Sequence, residues 1–591
     1  MDGSVLEAEM KQLKSSCAYY RKKRTVVALL RFLVFISMIL SFIGGYQLQT
    51  IWYASAVMLL LVFIGLIVYH DTIKKGLFYR ECKLEVLQDI KKRKNHEWTD
   101  FKEDGSAFVE TDDLAAKDLD IFGHASLYQY LCCAATPYGR REFAQWLKQP
   151  ASNITQWKKR QDAVVELSQN MEFSRAFMTC SKIFAHRSKI QETTMYKIVD
   201  ASKNMKPQSA ACRMIRFLGP TIMLVLFVFA ILGTLAWPWL FAWFVIQAAL
   251  AMLLRKSCDE RLTLLSHTQS LMDTYERMFR SIELESFSSQ YLRELHDAVF
   301  GATLAVKKLS TLIGFANARN NDITYLIGSG FFLMDLQFVS MYEAWKRHYG
   351  KQLEAWLRAA GNMEALLSLS MLNLVRDDVC VPTMGENPKL SFTNAVHPLL
   401  DERKAVGNTF TLSGGTCVIT GSNMSGKTTF LRTIGLNMTL FNAGGFVCAK
   451  EWISPMMNIY TSMRVEDNVD QGISTFYAEI LRIKTMMQAM EKQEPMLVLI
   501  DEIFKGTNSA DRIIGAQEAV KRLHQPWVMT FVSTHDFELC MLEDDPMIQA
   551  CNMHFSEYYE DNEIRFDYLL RKGRCQTTNA RQLMRMAGII D

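Results

Sequence analysis

Residues Gly421-Ser422-Asn423-Met424-Ser425-Gly426-Lys427-Thr428 form a G-x-x-x-x-G-K-[ST] loop, the spacing at which backbone N–H groups can wrap a polyphosphate. The N–H groups of Ser422–Lys427 are expected to cradle the β-phosphate at the start of a helix, whose dipole favours an anion. Lys427 would reach the β- and γ-phosphates. The Thr428 hydroxyl would hold Mg2+, with Asp501 supporting the ion. Gly421 through Thr429 therefore make up the expected nucleotide-binding segment. Glu502 directly follows Asp501 and is placed to act as general base on a water attacking the γ-phosphate. His535, ending a later apolar run in S-T-H-D, can orient that water or sense the phosphate. Glu502, His535 and Lys427 form the expected catalytic set, Thr428 and Asp501 the metal ligands. Ser474, in GISTFYAEILRIK, opens another helix and offers a second anion-binding N-terminus, although a Ser cap needs no ligand to explain it. The chemistry predicted is binding and hydrolysis of ATP with Mg2+.

Three short apolar segments must carry these groups. Thr416–Thr420 (TCVIT) reads as a buried strand, and the TTFLRTIGLNMTLF that follows has helical apolar spacing at Phe430, Ile434 and Met438. MLVLIDE is a strand ending at Asp501-Glu502, and FVSTHD a strand ending at His535. Their order puts all three groups at the carboxyl ends of parallel strands, where α/β sheets bind ligands. Residues 381–591 are thus expected to form an α/β P-loop ATPase domain. Upstream, 113–206 and 257–380 read as amphipathic helices, an all-α core with lever-like arms.

Hydropathy divides the rest. Residues 25–45 and 51–69 are each long enough to cross a bilayer, which takes about 20 apolar residues, with Tyr46–Thr50 as the turn. Arg21, Lys22, Lys23 and Arg24 precede the pair; Lys74, Lys75 and Arg80 follow it. Positive residues at both outer ends place both ends in the cytoplasm. A second pair, 217–236 and 240–254, is joined by Trp237-Pro238-Trp239 and flanked by Arg213, Arg216, Arg255 and Lys256. The expected protein is integral to a membrane, with four transmembrane helices and with its ATPase domain and both termini cytoplasmic. The expected order is a cytosolic tail (1–24), hairpin one (25–70), a juxtamembrane helix and linker (71–112), helical core (113–206), hairpin two (207–256), helical lever (257–380) and ATPase domain (381–591). The apolar stretch 324–342 carries Asp335 and continues into charged sequence, so it reads as one long soluble helix. Lys91-Lys92-Arg93-Lys94 could hold lipid or nucleic-acid phosphates, and a solvated helix end is the plainer reading.

In 591 residues the formal net charge is only +4, so nucleic-acid contact would need local patches. Thirteen cysteines without a C-x-x-C pair read as reduced thiols rather than a disulfide framework or zinc site.

The motifs resemble those of the MutS family of mismatch-repair ATPases, dimeric relatives of the ABC-type ATPases. Thr420–Thr429 is similar to that family's TGPNMGGKST. Ser474-Thr475-Phe476 with Glu479 resembles S-T-F-x-x-E. Asp501-Glu502-Ile503 with Gly506-Thr507 resembles D-E-I-G-R-G-T, and Thr534-His535 with Phe537-Glu538-Leu539 resembles T-H-x-F-E-L. His397-Pro398 matches the H-P entering the ATPase domain. Thr136-Pro137-Tyr138-Gly139-Arg140-Arg141 and Trp146-Leu147 resemble the T-P-x-G-R…W-L of its helical core. The resemblance covers roughly 113–205 and 257–591. It implies an ABC-type fold, a homodimer closing around two ATPs, and Ser474 reaching the γ-phosphate held by the other subunit. The adenine would lie near Ala405–Asn408, where nothing aromatic stands.

The departures are as informative. A membrane hairpin occupies the space of the mismatch-recognition and connector domains. Phe101-Lys102-Glu103 copies a mismatch-reading F-x-E but sits in a short linker, so it reads as coincidence. Phe504-Lys505 replaces Gly-Arg, and Asn508-Ser509-Ala510-Asp511-Arg512 departs from S-T-x-D-G. The resemblance is therefore to a membrane-bound MutS-like branch. Two functions compete: a tethered ATPase whose levers engage DNA, with basic pairs such as Lys307-Lys308 and Lys346-Arg347 as contacts, or a machine coupling dimer closure to its own hairpins or to a membrane protein partner without DNA.

Overall fold

The computed structural model describes residues 3–47, 51–110, 113–187, 192–204, 209–262, 265, 268–386, 388–464, 475–504, 509–560 and 563–575. Ten strands form two sheets: β1 Thr383–Met384, β2 Leu390–Ala395, β3 Asn408–Leu412, β4 Gly415–Thr420, β5 Glu451–Ser454, β6 Asn458–Ser462, β7 Met496–Asp501, β8 Val528–Thr534, β9 Ala550–Glu560 and β10 Glu563–Lys572. The larger sheet has the order β10-β9-β4-β8-β7-β6, parallel except for β10 on β9. Every residue of β4, β7 and β8 is buried, as expected for parallel strands covered on both faces. The smaller sheet, β1-β5-β2-β3, lies alongside.

One face of the large sheet shares a hydrophobic core with the helical body. The helix Lys427–Asn442 is held between them. Trp157 Nε1 donates to the Phe441 carbonyl (2.5 Å) and Arg160 to that of Ala443 (3.1 Å). Helices Thr475–Met490 and Ser509–Leu523 cover the other face with a separate apolar cluster.

The T-P-Y-G-R segment has a local physical logic. Thr136 caps helix Pro137–Lys148 by accepting from the Gly139 N–H (3.0 Å), and Pro137 sits where a missing N–H costs nothing. Helix Leu353–Val375 crosses here so closely that a Cβ on Gly139 would meet Glu364 Oε2 at 2.1 Å. Buried Glu364 accepts from the N–H groups of Ala135 (3.1 Å) and Thr136 and from the Thr136 hydroxyl, and burial raises its pKa.

The first apolar pair is longer than its hydrophobic part. Helices Gly3–Gln47 and Ile51–Lys94 run antiparallel for 45 and 44 residues, so the segment boundaries drawn at residues 24 and 70 fall inside continuous helices. Leu29, Phe32, Leu40, Met58 and Leu61 are exposed in the apolar half. The polar half is pinned by Arg21–Glu81 (2.7 Å), Lys83–Glu9 (3.2 Å) and Lys91–Glu7 (2.7 Å). Among the described residues five helices are long and apolar enough to cross a membrane, or six if a bent pair counts as one span. Four of them belong to the two expected hairpins. The fifth, Gln290–Ala318, buries Leu292, Leu295, Val299, Val306 and Leu309 in the helical body, which makes it a core element.

Four expectations require correction. The second hairpin turns at 232–236: helix Ala210–Ile231 ends before Gly233 (φ 73°), and Trp237 opens helix Trp237–Leu262. Glycine supplies the left-handed exit, and Pro238 in a first helical turn loses no hydrogen bond. The stretch 324–342 is not one helix. Asp322–Phe332 and Met334–Tyr349 meet at 80°, with Leu333 left-handed (φ 50°). The basic cluster is split: Lys92 is exposed as at a solvated end, whereas buried Arg93 donates to the carbonyls of Tyr130 (2.7 Å) and Cys132 (2.8 Å) and stacks on Phe101. Lys346 is likewise internal, paired with Glu343 at 2.8 Å, and is no surface contact for DNA.

Candidate functional site

Backbone shape comes first. β4 ends at Thr420, and Gly421 (φ 150°) leaves the sheet so tightly that a Cβ would stand 2.7 Å from Ser425 Oγ and 2.9 Å from the Phe555 carbonyl oxygen. Gly426 (φ 108°) then turns the chain into the helix starting at Lys427. Met424 has φ 68° and projects outward. The loop thereby aims its N–H groups and the positive end of a helix dipole at one point.

Side chains converge on that point. Lys427 Nζ donates to the carbonyls of Gly421 (2.8 Å) and Ser422 (2.9 Å). Thr428 Oγ1 donates to Asp501 Oδ2 (2.8 Å), and Ser533 Oγ holds Asp501 Oδ1. His535 Nε2 lies 2.8 Å from Asn423 Oδ1, 2.9 Å from Glu502 Oε1 and 3.4 Å from Lys427 Nζ. Two oxygen acceptors facing one ring nitrogen call for Nε2–H as the donor. Glu502 itself has φ 56°, and its N–H is tied to the Ser533 carbonyl (3.1 Å). A non-glycine residue in that region is strained backbone, a feature that clusters at functional sites.

A cavity of about 450 Å³ opens above the loop, within the range of small-molecule sites. Ser422, Asn423, Met424, Gly426, Lys427, Thr428, Thr429 and Glu502 line it. Asp501 stands behind Thr428, and Ser425 lies beneath the loop, its buried hydroxyl without a hydrogen-bond partner among the described residues. Of the sequence-expected site residues, Ser474 lies outside the described ones, as do residues 505–508 of the segment after Asp501-Glu502-Ile503.

Other lining groups escaped the sequence reading. No aromatic side chain comes from 405–408; Tyr568 and Phe555 supply them from β10 and β9. The β9–β10 register shifts between Phe566 and Leu570, and Tyr568 sits in that irregularity at φ 57°. Asn408 fixes it, donating to the Tyr568 carbonyl (3.0 Å) and accepting from the Leu570 N–H (2.7 Å). Ser422 Oγ donates to Glu557 Oε2 (2.8 Å). His397 also lines the cavity. Burial, then Arg432 and Arg376, push its imidazole well below the usual range, to about 3, so it stays neutral. Its Nδ1 accepts from the Leu399 N–H (3.2 Å), leaving the proton on Nε2.

The site fits a magnesium nucleotide. A hydroxyl and a carboxylate in contact beside a phosphate cradle are the hard oxygen donors Mg2+ uses together with substrate phosphates. No cluster of three or more His, Cys, Asp or Glu that could hold a metal occurs among the described residues, so a dedicated all-protein metal cage is not part of the described site.

Comparison with known proteins decides the ancestry. The profile of MutS domain V matches residues 417–591, and that of MutS domain III matches residues 111–215. This chain belongs to the MutS family. The DNA mismatch repair protein MutS of Natronomonas pharaonis is 29% identical over 245 residues, 40% of this chain and 28% of that protein. MutS of Thermus thermophilus is 31% identical over 217 residues, 36% of this chain and 26% of the relative. For MutS of Chloroflexus aurantiacus the identity is 26% over 370 residues, 57% of this chain and 37% of the relative. The chain thus spans well under half the length of these MutS proteins. The domain III match stops at residue 215, just inside the first helix of the second apolar hairpin, and residues 216–416 fall in neither match.

Proposed function

We propose that this MutS-family chain is an ATPase anchored in a bilayer by two helical hairpins, which closes as a homodimer around two ATPs and engages DNA with its helical levers. One observation carries the enzymatic part: Lys427, Thr428, Asp501, Glu502 and His535, drawn from three strand ends, meet around a single cavity.

The loop N–H groups and Lys427 bind the β- and γ-phosphates, and Tyr568 offers a face to the base. Thr428 and Asp501 would hold Mg2+, which supplies charge neutralisation on the phosphate oxygens. Glu502 takes the proton of the attacking water. His535, donating from Nε2, holds the Glu502 carboxylate in position and reads the Asn423 side of the loop. Ser474 is proposed to complete the partner's site. The exposed apolar surface of the described residues within 25–47, 52–69 and 217–253 supports membrane anchoring, because soluble proteins rarely leave so large a patch uncovered.

Glu502→Gln tests the assignment. The variant should keep ATP binding, accumulate ATP-dependent dimers in size-exclusion chromatography, and lose about 10²–10⁴-fold in turnover, the usual contribution of a general base. Turnover at the wild-type rate would remove Glu502 from the mechanism.

A specific contact favours the second reading, in which closure is transmitted to the membrane. Gln337 Nε2, on the helix leading toward the ATPase domain, donates to the Arg216 carbonyl (3.1 Å) at the base of the second hairpin. Trapped-ATP crosslinking between hairpins decides it: crosslinks unchanged by nucleotide, together with DNA-stimulated hydrolysis, leave the DNA reading alone. No binding to duplex, fork or junction at low salt, with nucleotide-dependent crosslinks, leaves the membrane reading.

A further inference from the structure

The bent pair Asp322–Phe332/Met334–Tyr349 packs against both helices of the second hairpin. We propose that Asp322–Phe332 is a re-entrant half-helix, dipping into the cytoplasmic leaflet beside that hairpin and making a third lipid-embedded element. This inference rests on the reading of the hairpins as membrane spans.

Geometry sets the depth. Eleven residues at 1.5 Å each make about 16 Å, half of a bilayer's hydrocarbon thickness of about 30 Å. The base of the helix lies at the charged end of the hairpin, where the Arg255 guanidinium stacks 4.6 Å from the Tyr325 ring centroid and Arg319 pairs with Asp259. Its tip reaches into the apolar run of the hairpin, where Gly330 abuts Phe244 so closely that a Cβ would overlap the ring at 2.1 Å. Leu333 reaches Gly219, at whose Cβ position its Cδ1 would be 2.7 Å away. Small residues at the crossings let the helices approach as they do in membrane bundles.

The outer face is apolar: Ile323, Leu326, Ile327, Phe331 and Phe332 are exposed. It continues the exposed surface of the hairpin, including Phe217, Leu224, Phe241 and Val245, and that continuity identifies lipid as its occupant.

The break itself lies where the apolar run of the first helix of that hairpin begins, and side chains meet its backbone. Non-helical backbone is tolerated at membrane depth only where protein satisfies it. Here Gln337 Nε2 donates to the carbonyls of Phe332 (3.3 Å) and Arg216 (3.1 Å). The Arg216 carbonyl is the acceptor that Pro220, lacking an N–H, leaves free in the neighbouring helix. Trp243 Nε1 and Gln247 Nε2 both donate to the Gly219 carbonyl at 3.1 Å. The carbonyls of Phe332, Arg216 and Gly219 are thus each met by a side-chain donor. Leu333, the left-handed residue, is only 1% exposed.

The test uses the full chain in bilayers of phosphatidylethanolamine and phosphatidylglycerol, with benzoylphenylalanine placed singly at Ile327, Phe332, Leu224 or Leu284. Leu224 reports the hairpin; Leu284, exposed on the helical body, is the aqueous control. Lipid adducts at Ile327 and Phe332 comparable to those at Leu224, with none at Leu284, are the expected result. Adducts at Leu224 but none at Ile327 or Phe332, or crosslinks from these to protein, overturn the re-entrant helix while leaving the hairpin intact. No lipid adduct at Leu224 defeats the hairpin reading and this inference with it. Retained ATP turnover in each variant certifies that the probe has not unfolded the chain.

Discussion

Tyr568 lines the nucleotide cavity from an irregular stretch of β10. Lys427, Thr428 and Asp501-Glu502 are legible because their chemistry needs fixed local spacing on a strand–loop–helix frame. Tyr568 reaches the cavity through a strand irregularity clamped by Asn408, 160 residues away in the chain, and no local pattern announces it. Base–aromatic stacking is worth about 1–3 kcal/mol by alanine substitution. Tyr568→Ala should therefore raise KM for ATP about tenfold and leave kcat nearly unchanged, as steady-state kinetics will show; an unchanged KM removes the aromatic from the site. Thr428→Ala takes away a metal oxygen and should shift the Mg2+ dependence of turnover to higher concentration, read by titrating Mg2+ at saturating ATP. Phe504 is a different kind of residue finding. It occupies φ 60° where the family pattern has Gly, and packs edge-on against Phe476 of the S-T-F segment with ring centroids 5.8 Å apart. The departure visible in the sequence is thus a physical link between the end of β7 and the helix Thr475–Met490.

Among elements, a polar latch between the helical body and the ATPase domain is gathered on one carboxylate, in addition to the shared apolar core. Asp118, fully buried, accepts from Thr461 Oγ1 (2.7 Å), from the N–H groups of Met463 (3.0 Å) and Arg464 (3.2 Å), and from Arg482 (2.8 Å). Asp120 beside it pairs with Arg432 on the phosphate-loop helix and with Arg464. Three parts of the nucleotide domain are so fastened to one turn of the helical body. Removing one partner of a buried pair typically costs about 3–5 kcal/mol, because the other charge is left unpaired. Asp118→Ala should lower the denaturant midpoint accordingly, whereas Asp118→Asn, which keeps acceptors, should lose less. Equal stability for Asp118→Ala and the wild-type chain would show that the latch is idle. Nothing near Asp118 in the sequence signals this, since every partner lies over 300 residues away. Element type is legible where a continuous apolar run is long, as in the first hairpin. It fails at the breaks, because Gly233 and left-handed Leu333 act within hydrophobic runs whose composition does not change across them.

For the molecule as a whole, the hairpin reading makes a direct prediction. Leu61 is exposed midway along the apolar half of Ile51–Lys94, and an arginine at a span centre costs about 2.5–3.5 kcal/mol to insert. Leu61→Arg should shift chain from the carbonate-resistant membrane pellet into the soluble or degraded fraction, while Leu284→Arg should not; equal partitioning of the two variants counts against the span. Beyond its apolar half, the same hairpin is braced to the helical body by Lys182–Asp89 (2.6 Å) and by Arg175 with Glu9 (2.5 Å). It is a mast stepped into the hull, not a rope. In the proposed membrane-anchored dimer, two copies would already stand upright and face the same way. Their encounter would be a search in a plane rather than a volume, with tumbling forbidden and the two-fold axis confined to the bilayer normal. A pairing too weak to register between detergent-dispersed copies would then run to completion in a sheet of lipid.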